Sequence, residues 1–194
     1  MVVGGTTLLG MGWMIAFLIY AIYVYRLMSF GIPMPNLRPG MFIAAGPPAF
    51  TGLALINFGA NLPRLADHGY FLDKEGAVVA IQAIADFAAI FLWAFGFWFF
   101  CVSLVAVALG IRDMSFHLVW WASVFPNIAL ALVTGRIGER LNSQGIKWIA
   151  SAMTILLVSA WLFVVVLNLR AVVSRQIMMP GKDEDKGMCE SDPL

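Results

Sequence analysis

Five long apolar runs constrain the fold of this chain more than any other feature. A hydrocarbon core of about 30 Å needs about 20 helical residues at about 1.5 Å each. Segments at about 7–30, 39–62, 76–110, 116–134 and 147–170 meet that length. Inside a bilayer every backbone amide must find its partner within the chain, so five such runs specify helices rather than open sheet. The expectation is an all-α membrane protein whose residues 1–174 form a transmembrane helical bundle. Composition agrees: 61% of residues are hydrophobic and 12% charged, where soluble domains carry about 45–50% and about 25%. The first run is too long for a signal-peptide core and has neither a basic start nor a small-residue cleavage site. Residues 175–194, which include "GKDEDKGMCESDPL", have the composition of a disordered polar tail.

An odd number of spans puts the two ends on opposite faces. Arg26, Arg38 and Arg112 then share a side with Arg170, Arg175, Lys182 and Lys186, and Arg64, Lys74, Arg136, Arg140 and Lys147 lie opposite. Seven cations against five assign the tail to the cytoplasm, with the plasma membrane as the expected location. A net charge of +1 suggests no nucleic-acid partner. No phosphate loop, dinucleotide fingerprint or nucleophile elbow occurs. His68 and His117 sit near span ends without a ligand cluster, and Cys101 and Cys189 fall in unlike settings, one apolar and one polar. The residues therefore point to no enzyme, no metal and no cofactor.

The spans differ in chemistry. The second and fourth contain "GPPAFT" and "FPNIAL", whereas the first and fifth are nearly uninterrupted. This places the second and fourth toward a polar interior and the others toward lipid, and hints at a repeated hairpin. Pro47 and Pro48 fall about a third of the way along the second span and Pro126 near the middle of the fourth. A helix-interior proline removes a donor and costs about 3 kcal/mol in water. In membranes it either kinks a packed helix or marks a discontinuous helix lining a path. The sign of selectivity stays open, because a carbonyl freed before the proline, such as that of Ala122, attracts cations while amides after it attract anions. Thr51, Asn57, Asn61, Ser123, Asn127 and Thr134 lie on the same two spans, as pore-lining groups or as hydrogen bonds between helices. Asp86 is the one carboxylate well inside a span, either a functional group or one near the headgroups. Since no lysine or arginine lies mid-span, a crossing anion would depend on neutral donors, helix dipoles and cations at the mouths. Arg38 and Arg136, at the ends of the interrupted spans, fit the mouth role or that of interfacial anchors. Phe125, directly before Pro126, is placed to close a narrow path, and the aromatics from Trp93 to Phe100 read as packing or lipid-facing groups.

The runs "YRLMSFGIPMPNLRPGMFIAAGPPAFTGLALI", "LWAFGFWFF" and "FHLVWWASVFPNIALAL" resemble the C-terminal half of the tellurite-resistance/dicarboxylate transporter family. That family includes fungal malic acid permeases, bacterial tellurite-resistance channels, sulfite efflux pumps and plant slow anion channels. "RPGMFIAAGPPAFTGLALI" followed by "WWASVFPN" is similar to the malate permeases in particular. The resemblance implies a ten-helix bundle of five hairpins in quasi-fivefold arrangement, with the second helix of each hairpin lining the pore. This chain would supply the sixth to tenth helices, and Phe125 would occupy the gate position. The implied substrate is an organic anion, a C4-dicarboxylate such as malate, with sulfite or another small anion as the alternative. Two pore-lining helices cannot close a pore that needs five. The expectation is therefore a truncated copy, with a half that assembles with a second chain or a homo-oligomer, and a non-transporting membrane scaffold, as the other readings.

Overall fold

The computed structural model describes residues 2–66 and 75–174; His68, Lys74, Cys189 and the expected tail lie outside the described residues. Helix α1 (Val2–Phe30) is followed by a 3-10 helix (Pro35–Ala45) that runs directly into α2 (Gly46–Ala66). Next come α3 (Glu75–Gly110), a second 3-10 helix (Leu118–Ser123), α4 (Phe125–Arg140) and α5 (Gln144–Val173). Among the described residues there is no strand. Among the described residues five helical spans are long and apolar enough to cross a membrane, so the chain is the helical, multi-pass membrane protein its hydropathy predicts.

Local chemistry sets the boundaries. Gly31 follows α1 at φ +75 and donates its N–H to the Leu27 carbonyl at 3.1 Å, a left-handed cap that a side chain would strain. The prolines correct the sequence expectation. Pro47 and Pro48 are not in the interior of a helix but in the first turn of α2, and Pro126 is the second residue of α4. At those positions the missing N–H removes no i→i−4 bond from the body of the α-helix, so the cost of an interior proline is reduced. Each interrupted span is thus two pieces, a 3-10 segment and an α-helix, with the prolines at the α-helical start.

Helix α2 packs between α3 and α4, and α5 packs on α4. The core joins Ala49 and Ile56 of α2, Ala89 of α3, and Ala129, Leu130, Val133 and Ile137 of α4. Small residues permit the close approach: a Cβ on Gly52 would lie 3.2 Å from the Ala89 carbonyl oxygen, and one on Gly96 would lie 3.3 Å from that of Ala45. Helix α1 docks on α3 through aromatics, with Tyr20 stacked on Phe99 at 4.9 Å and its hydroxyl donating to the Ala44 carbonyl at 2.6 Å. Half of the most apolar stretch of the second span is buried and 44% of the fourth, against 6% for α1 and 11% for α5. The interrupted spans are therefore central and the uninterrupted ones peripheral. The buried faces of α2 and α4, however, meet one another and α3 mainly through apolar side chains.

Candidate functional site: the paired breaks of α2 and α4

The two helix starts touch. A Cβ on Gly46 would lie 3.3 Å from the Pro126 Cβ, and six residues farther on one on Gly52 would lie 3.6 Å from Val133 Cγ2. Helices α2 and α4 therefore run side by side in the same direction, and their N-termini meet at one level. Each N-terminus carries the positive end of its helix dipole.

The carbonyls on the other side of the α4 break are largely occupied. Ser123 Oγ donates to the Trp120 carbonyl at 2.7 Å, Val124 N–H to the Trp121 carbonyl at 3.1 Å, and Asn127 Nδ2 to the Ser123 carbonyl at 2.7 Å. This accounts for the pairing of a proline with an asparagine in "WWASVFPN". Pro126 starts the α-helix, and the Asn127 amide takes up a carbonyl that the change of helix type exposes. The Asn127 Oδ1 atom stays buried without a partner among the described residues.

On the side away from the core, α2 and α4 each leave a stripe at helical spacing. On α2 it comprises Pro47, Phe50, Ala54, Asn57 and Asn61, and on α4 Phe125, Ile128, Leu132, Arg136 and Glu139. The stripes join at the break, where the rings of Phe50 and Phe125 lie 5.6 Å apart at 35°. Phe125 is 66% exposed although it begins a mid-span helix. From Phe125 to Arg136 the helix rises about 16 Å, so the stripe leads from an aromatic pair to a charged rim. At that rim Arg136 pairs with Glu139 at 2.9 Å.

Of the residues singled out from sequence, Pro47, Asn57, Phe125 and Arg136 share this exposed face. Pro48, Pro126 and Asn127 are buried at the breaks, and Ser123 is half-buried beside them. Thr51 turns elsewhere, into a hollow lined by Leu9 and Trp13 of α1 and Leu92 of α3. Arg38 donates through Nε to the Pro33 carbonyl at 2.9 Å and through Nη1 to the Ala106 carbonyl at 3.1 Å, over the final residue of α3, Gly110. Its charge thus caps the carbonyl end of α3. Asp86 is paired: Arg140 donates from Nη2 to Oδ2 at 2.7 Å and from Nε to Oδ1 at 3.1 Å, joining α3 to the last turn of α4. Thr134 donates to the Leu130 carbonyl and accepts from Trp93 Nε1 at 2.8 Å, so one of the expected packing aromatics also carries a polar bond between helices. Phe50 was missed by the sequence reading. The signal was present in the three-and-four spacing of Pro47, Phe50, Ala54, Asn57 and Asn61. Among the described residues no group of three or more histidine, cysteine or acidic side chains is placed to hold a metal ion.

The model of the SLAC1, voltage-dependent anion channel, family matches residues 1–169. The chain belongs to the SLAC1 family. A malic acid transport protein of Schizosaccharomyces pombe is 31% identical over 188 residues, which cover 95% of this chain and 42% of that protein. A second protein of that yeast, named for the same transport in provisional terms, is 31% identical over 190 residues, 95% of this chain and 43% of its own length. This SLAC1-family chain thus spans less than half the length of the curated relatives it matches. No solved structure matches it. The match spans α1 to α4 and α5 up to residue 169, with both breaks and the Phe50–Phe125 pair inside it.

Proposed function

We propose that the chain forms part of an anion-conducting pore for organic anions, C4-dicarboxylates such as malate first, with the joined stripes of α2 and α4 as its share of the wall. The observation that carries this reading is the break itself. Two α-helical N-termini meet behind an exposed phenylalanine pair, while side chains occupy carbonyls that would repel an anion. Phe125 is the gate and Phe50 its support. Pro47 and Asn57 line the path, and Arg136 stands at its mouth. Pro48, Ser123, Pro126 and Asn127 shape the break, while Thr51 and Arg38 hold neighbouring helices. Malate as the cargo follows the name of the relative in Schizosaccharomyces pombe. The reading includes no enzymatic step.

Two such helices cannot enclose a path, so further helices complete it, from more of the same polypeptide, a second copy or another chain. The plasma membrane is the proposed location, with residues 175–194 as a cytoplasmic tail. The sequence excess of cations on that side, Arg26, Arg38, Arg112, Arg170, Arg175, Lys182 and Lys186 against five opposite, supports that orientation. Proteoliposomes containing this chain, or a version extended to the length of the relatives, test the proposal by radiolabelled malate and sulfite uptake. Malate uptake by the extended version is expected. Sulfite uptake alone would replace the cargo, and no uptake of either by the extended version would leave a membrane scaffold.

A further inference from the structure

At the carbonyl end of α1, a hollow of about 310 Å3 opens between that helix and the first 3-10 helix. Most of its wall is apolar, with Phe30, Ile32, Leu37 and Met41 among its residues, but Tyr23 and Arg26 also line it. The Tyr23 hydroxyl is buried and has no hydrogen-bond partner among the described residues, while its ring is held against Phe99 at 5.7 Å. Arg26 makes no ion pair among the described residues. A buried donor without an acceptor is unfavourable, and an exposed, unpaired guanidinium such as that of Arg26 on a membrane helix needs headgroups, water or a counter-charge within reach. One group relieves both: an anion with several acceptor oxygens, flanked by apolar surface.

We propose that this hollow binds a phosphate group, that of a phospholipid headgroup, with Arg26 and the Tyr23 hydroxyl as donors and the glycerol region against Phe30, Ile32, Leu37 and Met41. The volume suits a headgroup rather than a whole lipid. The carbonyl end of α1 works against an anion here, which makes the Arg26 charge indispensable. Phosphate chemistry fits the planar fork of arginine better than a point charge would. The site is independent of the pore and lies on the α1 side of the molecule.

Native mass spectrometry of the full chain in detergent, titrated with phosphatidylglycerol, tests this. Wild type is expected to retain one lipid with an affinity about tenfold above that of Arg26→Gln and a few-fold above that of Tyr23→Phe. Tyr23→Phe removes only an oxygen that has no partner, so the fold is kept. Arg112→Gln, which alters a cation outside the hollow, should bind as wild type does. Displacement of the lipid by millimolar glycerol 3-phosphate would assign the same site to a soluble organophosphate, and resistance to it assigns the phospholipid. Equal retention by wild type and both hollow variants would overturn the proposal. So would an equal loss in Arg112→Gln, since the attraction would then be general charge.

Discussion

Phe125 and Asn127 stand two positions apart and illustrate opposite uses of a residue at a break. Phe125 is exposed and touches Phe50, so its position depends on a ring contact of a kind worth about 0.5–1.5 kcal/mol. In a version with a complete set of helices, Phe125→Ala is expected to raise basal malate flux. Phe50→Ala should raise it by the smaller factor of about two- to tenfold that loss of the contact allows. Flux unchanged in both variants would remove the gate. Asn127 is buried and holds the Ser123 carbonyl. Asn127→Leu strands that carbonyl, and a loss of about 1–3 kcal/mol is expected in detergent unfolding. Ile128→Ala, on the exposed stripe next door, should change stability far less. From sequence alone the two polar-helix readings of Asn127, pore lining and hydrogen bonding, were equivalent. They differ only in which way the side chain turns, and a residue's direction at a change of helix type is not set by simple periodicity.

At the scale of elements, each interrupted span is a 3-10 segment leading into an α-helix. Proline marked where the interruptions occur, but not that they are helix starts. That follows from the N–H that proline lacks being dispensable in a first turn. Close approach of α2 and α3 depends on glycine, so Gly52→Val and Gly96→Val should each destabilise by about 1–3 kcal/mol through overpacking against backbone oxygens. Melting of the purified variants, compared with Gly12→Val on open α1, checks this; equal melting would dissociate glycine from the packing. The Asp86–Arg140 pair links α3 to α4 with both side chains about a third exposed, at 28% and 35%. A double-mutant cycle with Asp86→Asn and Arg140→Gln is expected to give a coupling of about 1 kcal/mol that falls as salt rises. Coupling near zero would make the pair incidental. Asp86 was legible as an unusual carboxylate, whereas its partner lies 54 residues away and only the tertiary arrangement brings it near.

The whole molecule is a bundle with α2 at its centre and a two-helix face left open. Only 6% and 11% of the most apolar stretches of α1 and α5 are buried, as suits spans toward lipid, while the open stripes of α2 and α4 carry Asn57, Asn61, Arg136 and Glu139 as well as apolar groups. A face of that mixed character suits a water-filled path better than hydrocarbon. Uptake assays should therefore show malate flux that depends on the extended version, with the present chain alone giving only background. Flux from this chain alone would mean that copies of it complete the pore. By itself the sequence determined the number of spans, the helical class, the sites of interruption and the family. Each of these is written in local composition and in runs long enough to span a bilayer. Tertiary structure alone decided that the two breaks meet, that Phe50 joins Phe125, that Arg38 caps α3 and that Arg140 answers Asp86. Those contacts join residues far apart in the chain, and backbone approach between helices selects them, which no local pattern encodes.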